Sequence, residues 1–413
     1  MKNRRIGVAV FVAVFTSGFF ASCAEPEAAA QETTSSQADA LNGGNAPHIG
    51  IGPRAIAYNY YPSLHLPHGA AGDEDFVFVA QALDGQVMVL DRLSGEELGT
   101  LPPPPGGWLL PFAVRVPSAN KVAILDAGGF PNPNVPSIAR IYEYEFHKTG
   151  HQGCGNGHRR GRGNGHDDDG FTATLTRTIS FAGLPLVYAE DLEPLPNGGY
   201  VLSESVIGAL WVVAPNGDIS PGIMPDNLAV PLATIGPCGF SPTTISGVPF
   251  STAGDFAPGV GSLAVRGGNL YFGSSCRGGV QRVPVSTLTD VSRTPEQRAS
   301  DIQPVSPRPA NVTVESLKGF AFNRWSNDDH LFVTDAFNHR LLRVDIHTGA
   351  REVVIDDAAL FDFPTAAQFL PPAQGSTPLI VTSDQEYRLA ALNPLISQDL
   401  LHPPFIVAKV LAH

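Results

Sequence analysis

Two sets of residues in this 413-residue chain have types and spacing that could do chemistry. The first is a run of potential metal ligands: His147, His151, Cys154, His158 and His166, followed by Asp167, Asp168 and Asp169, set among glycines and Arg159, Arg160 and Arg162. Imidazole, thiolate and carboxylate together can hold zinc or copper. The spacing matches no finger, and a Gly-rich loop loses much entropy on ordering, so the plainer reading of 147–169 is a solvated loop. The second set pairs acids with cations. Glu190 and Asp191 are adjacent, Asp335 ends an apolar run, and Arg54 and Lys318 each stand just before small and apolar residues. Carboxylates beside cations can exchange protons or hold an anionic ligand, and they can equally form a structural ion pair. A Ser nucleophile elbow, a Walker loop and a His-Glu-x-x-His pair are missing from the sequence.

The elements that must position these residues are short strands. Six apolar runs recur, each ending in a small or acidic residue: Phe76–Ala80, Val122–Asp126, Tyr200–Ser203, Leu270–Ser274, Leu331–Asp335 and Leu379–Ser383. A further strand follows each: 85–91, 139–145, 208–214, 279–285, 339–345 and 387–393, with turn dipeptides such as Ser94-Gly95, Asn216-Gly217 and Thr348-Gly349 closing several. Long apolar stretches with a 3.6 period are missing, and 43 Gly with 37 Pro argue against helical bundles. One four-stranded sheet cannot bury both faces alone, but six stacked in a ring can. The sequence therefore predicts an all-β, six-bladed β-propeller over 47–413, with a seven-bladed ring or paired sandwiches as rivals. The C-terminal run Phe405–Leu411 has strand character and is expected to close the ring beside the N-terminal blade.

Composition narrows the partners. With 26 Lys+Arg against 39 Asp+Glu the net charge is −13, which disfavours nucleic-acid binding. Lys2, Arg4 and Arg5 precede an uncharged apolar run from Ile6 to Phe20, the pattern of a signal peptide over 1–23. Ala21-Ser22-Cys23 resembles a lipobox, which would lipidate Cys23, while cleavage after Ala24 or near Ala28–Ala30 would release the chain. Residues 24–46 read as a flexible tether. Either route leads out of the cytoplasm, with a membrane contact only through a lipid anchor. Of the four cysteines, Cys238 and Cys276 are the expected disulfide pair and Cys154 the free thiol.

Two segments carry a family resemblance. Leu331-Phe-Val-Thr-Asp335-Ala-Phe-Asn338-His339-Arg340-Leu-Leu-Arg343-Val resembles the NHL-repeat strand pair. Glu190-Asp191-Leu-Glu-Pro-Leu-Pro-Asn197-Gly198-Gly-Tyr-Val-Leu-Ser203 is similar to a blade of the gluconolactonase/senescence-marker-protein/luciferin-regenerating superfamily, which strictosidine-synthase-like proteins share. The resemblance implies an axial calcium ion held by Glu, Asn and Asp of different inner strands, polarising a lactone or ester. Aligning the inner strands puts Arg54, Pro111, Glu190, Gly261, Lys318 and Pro364 at the channel mouth. Glu190, Asp191 and Asp335 then match or substitute for the oxygen ligands, while the resemblance implies Glu at the first position and Asn at two later ones, where this sequence has Arg54, Glu190 and Gly261. The two cations are expected to favour an ionised, base-like Glu190 and to weaken calcium binding.

Three functions follow as expectations. The first is an extracytoplasmic lactone or ester hydrolase with Glu190 and Asp191 catalytic and Arg54, Lys318 and Asp335 binding the ligand. The second is a non-catalytic propeller that binds a small molecule or protein. The third is a metal-free condensing enzyme of the strictosidine-synthase type. In each the ligand sits in the axial channel of a monomer.

Overall fold

The computed structural model describes residues 66–129, 138–149, 170–239, 242–251, 258–274, 277–373, 375–403 and 405–412, together with the backbone of the strand Arg54–Tyr58. Residues 1–46 with Cys23, the ligand-rich positions 151–169, and Cys276 lie outside them; Cys238 itself is disulfide-bonded.

Six four-stranded antiparallel sheets form the blades. From the inner strand outward, the first is Pro67–Gly72, Phe76–Gln81, Gln86–Asp91 and Glu97–Thr100. The second is Pro111–Ser118, Lys121–Asp126, Arg140–Thr149 and Gly170–Ser180, so the insert leaves and re-enters between its third and fourth strands. The third is Ala189–Pro194, Tyr200–Glu204, Ala209–Val213 and Ile219–Ile223. The fourth is Val260–Arg266, Asn269–Ser274, Val280–Pro284 and Gln303–Ser306, and the fifth is Leu317–Phe322, His330–Asp335, Arg340–Asp345 and Arg351–Asp356. Each inner strand touches the inner strands of both neighbouring blades, and the contact of the sixth with the first completes a ring.

The sixth blade is built from both chain ends. Pro364–Phe369 pairs with Thr377–Ser383, which pairs with Ile406–Ala412, which pairs in turn with Arg54–Tyr58 as the outermost strand. The C-terminal run thus closes the ring, as its strand character predicts. Two expectations are corrected. Residues 387–393 are not a strand: Glu386–Arg388 forms a single 3-10 turn, and the third strand comes eighteen residues later, at Ile406. Arg54 does not begin an inner strand; its strand is the outer edge of the sixth blade, with Arg54 paired to Leu411.

The second strands explain why the blades stack. Phe76, Phe78 and Ala80 point into a cluster with Val114, Ile124 and Tyr142 of the second blade. Their alternates Val77 and Val79 point into a cluster with Ile380 and Val407 of the sixth. Successive strand residues face opposite sides, so a strand buried on both faces reads as the continuous run Phe-Val-Phe-Val-Ala. Similar clusters fill the other four blade-to-blade interfaces, and each fully buried large side chain adds about 1.5–3 kcal/mol.

Nearer the axis the stitching is polar. The Arg115 guanidinium of the second blade donates through one nitrogen to both oxygens of Asp191 in the third, at 2.7 and 2.8 Å, and through Nε to Glu193 at 3.0 Å. Asp191 also accepts the backbone N–H of Leu263 in the fourth blade at 2.8 Å. Ser262 Oγ accepts the N–H of Gly319 in the fifth blade at 2.8 Å, and Thr382 of the sixth donates to the carbonyl of His68 in the first at 2.8 Å. Gly319 has φ +49°, and a Cβ there would come within 2.7 Å of the Ala366–Ala367 backbone, so only glycine lets these inner strands approach.

Two outcomes follow from this architecture. Deleting residues 405–413 removes the strand between Thr377–Ser383 and Arg54–Tyr58 and leaves open edges; the truncated chain is expected to be insoluble, and a soluble monomer on size-exclusion chromatography would disprove closure through this strand. Arg115→Met leaves Asp191 and Glu193 buried without their counter-ion, so urea unfolding should show a loss of about 3–5 kcal/mol with an unchanged m-value.

Candidate active site at the propeller axis

The same irregularity marks all six inner strands. Near its start each slips register against its second strand, between Pro67 and Gly69, Pro111 and Ala113, Ala189 and Asp191, Val260 and Leu263, Lys318 and Phe320, and Pro364 and Ala366. A bulge turns the extra residue out of the ladder and re-aims its side chain. The residues so released include His68, Phe112, Glu190, Ser262 and Thr365; together with Lys318 they line one cavity of about 20 Å³ on the axis. A cavity of that size holds about one water molecule.

Charge is concentrated there. Lys318 Nζ is 2.6 Å from Glu386 Oε2 and 3.6 Å from Glu190 Oε1, and lies 5.6 Å from the centre of the Phe363 ring. Burial lowers the ammonium's affinity for its proton, but Glu386, Glu190 and Asp384 more than offset this and raise its pKa. Burial pushes the Glu190 carboxyl up, with Lys318 opposing and Glu386 and Asp191 adding to the rise. Its proton affinity thus rises where two flanking cations were expected to lower it, because one of those cations is at the far edge of a blade and desolvation outweighs the other.

His68 is the axis residue of the first blade. Its ring stacks on Phe112 at a centroid distance of 3.4 Å, and Nδ1 lies 3.3 Å from the Phe112 carbonyl, which fits an N–H donating there. Nε2 faces Asp384 Oδ2 at 3.8 Å, beyond hydrogen-bond reach, and neither atom has a hydrogen-bond partner among the described residues. Burial, reinforced by Lys318, holds the imidazole well below its usual pKa, while burial and Glu386 drive the Asp384 carboxyl well above its own. The result is a neutral imidazole with a lone pair directed into a buried, acidic cluster.

The other candidates are placed elsewhere. Asp191 lines the cavity, but both its oxygens are occupied by Arg115 and by the N–H groups of Leu192 and Leu263. It positions the third blade's inner strand and does not present a reactive atom. Asp335 is buried at the end of its second strand, where Oδ2 accepts from Asn338 at 2.8 Å and Arg340 at 2.7 Å, and it does not line the cavity. The structure thus brings Glu190, Asp191 and Lys318 together and leaves Arg54 and Asp335 out. Asp126 likewise serves its own loops, accepting the N–H groups of Leu109, Leu110 and Gly128. His147 is exposed on the second blade's third strand.

Calcium does not fit this axis. The ion takes six to eight oxygens, whereas the described group whose ligand atoms lie within 4.8 Å of one another is His68, Asp384 and Glu386, which offers a nitrogen and two carboxylates. Lys318, hydrogen-bonded to Glu386, already supplies a cation to the same carboxylates. Glu190 and Asp335, the expected metal ligands, do not share a site.

Sequence reasoning missed His68 and Glu386. A spacing signal was available for the first: Phe112 and Glu190 each stand ten residues before their second strands, at Val122 and Tyr200, and His68 stands eight before Phe76, while Arg54 stands twenty-two before it. For Glu386 there was none, because it lies in a long connection between two strands. That connection and the hairpin Thr243–Ile245/Val248–Phe250 cover this end of the axis, through a cluster of Ile245, Val248, Phe250, Phe337, Phe363 and Tyr387 and a 2.8 Å bond from Asn393 to the Pro249 carbonyl.

No family model and no curated protein matches the sequence. Solved structures do match the fold. A luciferin-regenerating enzyme aligns with a TM-score of 0.52 at 10% identity, covering 87% of this chain and 96% of that one. A calcium-binding regucalcin from Agrobacterium tumefaciens aligns with a TM-score of 0.46 at 14% identity, over 87% of this chain and 93% of that one. A virginiamycin B lyase from Staphylococcus aureus gives 0.45 at 10% identity, over 87% and 99%. At such identities the likeness is one of architecture alone: the chain is a six-bladed β-propeller.

Proposed function

We propose that the chain is an extracytoplasmic hydrolase of a lactone or other ester, acting at the axial cluster. The observation that carries this reading is the buried, unpartnered Nε2 of a neutral His68 facing the same cavity as Glu190, whose carboxyl burial raises, and the fixed Lys318 ammonium. His68 would take a proton from water as that water attacks the ester carbonyl. Lys318 would stabilise the negative charge developing on the carbonyl oxygen, and Glu190 would give its proton to the departing alkoxide. A second reading is favoured by the cavity's size: about 20 Å³ under a cap admits a water molecule and no substrate, so the hydrolytic reading requires the cap over the axis to move. If it stays closed, the cluster is the plug of a non-catalytic binding propeller.

The test is hydrolysis of a panel of lactones and aryl esters. His68→Gln and Glu190→Gln should each lower kcat/KM by about 10²–10⁴-fold while leaving Tm nearly unchanged. Activity that survives both substitutions makes the cluster structural, and a wild-type protein inert on the whole panel supports the binding reading. The pH profile should be a bell. Its acid limb should lie below the ordinary histidine pKa of about 6.5, because His68 is depressed, and its basic limb above the ordinary glutamate value of about 4.3, because Glu190 is raised. Export is tested separately by mass spectrometry of the native N-terminus. A diacylglyceryl Cys23 or a free end near Ala24 or Gln31 supports it, and an intact Met1 refutes it.

A further inference from the structure

The axial channel has a second chamber. Beyond Arg115, which lines both cavities, a space of about 240 Å³ opens at the other ends of the inner strands. Val116, Ala264, Val265, Phe320 and Phe322 give it apolar walls. Such a chamber, apolar with a few convergent polar groups, has the makeup of a small-molecule site.

Its charges are unequal in what they have left to offer. Arg115 is held by Asp191 and Glu193. Arg266 is consumed by Asp329 and by the carbonyls of Asn323, Ser326 and Asp328. Arg324 is different. It reaches from the fifth blade across the channel to the diametrically placed second blade, donating through one nitrogen to the Val116 carbonyl at 3.1 Å, and its guanidinium lies 4.4 Å from the Trp325 ring. Among the described residues that is its one hydrogen bond, and no carboxylate pairs with it; the amide of Gln368, also in the wall, makes no hydrogen bond there at all. A guanidinium fixed by stacking, with an unused edge over an apolar chamber, is preorganised for a carboxylate.

We propose that this lower chamber binds a small organic acid, its carboxylate on Arg324 and Gln368 and its apolar body against Val265 and Phe322. The site is distinct from the axial cluster and does not depend on the hydrolytic reading. Glu193 sets a pH dependence. It accepts from Arg115 and from the N–H of Val265 at 3.2 Å, and burial pushes its carboxyl up to about 7 despite Arg115. The other charged groups around it are Asp191 on its own strand, Arg115, and Arg324 across the channel, and the arginines do not titrate in this range. An ionised Glu193 repels a bound carboxylate, so affinity should rise as the pH falls from 8 to 6.

Benzoate serves as the probe, with benzamide as its uncharged counterpart, in calorimetric titrations of the full-length protein. Benzoate is expected to bind at least tenfold more tightly than benzamide. Arg324→Gln should weaken benzoate at least tenfold without shifting Tm, since Arg324 is exposed. Glu193→Gln should flatten the pH dependence between 6 and 8. Equal binding of the two probes, or binding indifferent to Arg324→Gln, overturns the proposal. Binding lost with His68→Gln but kept with Arg324→Gln would place the ligand at the capped end and overturn it as well.

Discussion

Everything at the axis depends on one antiparallel pairing, that of Arg54–Tyr58 with Ile406–Ala412. It ties the two ends of the chain into one sheet, and because the cost of closing a loop grows only slowly with its length, joining such distant segments adds little to what each blade already requires. The consequence is geometric. Once the ring is closed the six inner strands have no freedom to spread, and the six bulges at their starts must aim their side chains at a common line. A cluster of charge that no single blade could hold becomes fixed to within the tolerance of the packed interfaces.

That tolerance is tight because apolar and polar stitching are divided by radius. Outward from the axis, neighbouring blades touch through aliphatic and aromatic side chains, which set spacing without direction. Close to it they touch through directed contacts: Arg115 with Asp191, Asp191 with the Leu263 amide, Ser262 with the Gly319 amide, and Thr382 with the His68 carbonyl. Directed bonds in a dry interior are strong when complete and costly when broken, which makes the inner ring rigid.

The axis itself is an electrostatic compromise. Glu190, Asp384 and Glu386 surround a single ammonium, too little positive charge for three buried carboxylates. Burial answers by raising the proton affinity of Glu190 and Asp384 and leaving His68 neutral. A site built in this way offers donors and acceptors of proton, and differs in kind from an oxygen cage around a hard cation. The two ends of the channel also differ, one holding a cavity of about 20 Å³, the other a chamber of about 240 Å³.

The sequence by itself determined the blade count, since a repeated apolar run with turn residues after it needs only local periodicity to be read, and Phe76–Ala80 and Leu331–Asp335 carry that period plainly. It also marked Glu190 and Lys318, which sit in inner strands directly before such runs. Tertiary structure decided the rest. Arg54 stands before the residues Ala-Ile-Ala and looks like an inner strand, yet its hydrogen bonds go to Leu411 and its neighbours at the outer edge of the sixth blade, a long-range pairing that no local pattern encodes. Asp191 and Asp335 are carboxylates of the right type whose lone pairs are claimed by arginines, Arg115 of the neighbouring blade and Arg340 of the adjacent strand. His68 and Glu386 meet Lys318 only because the first, fifth and sixth blades are brought together by closure, and the proton affinities that make the cluster chemically interesting come from burial, which exists only once the ring has formed.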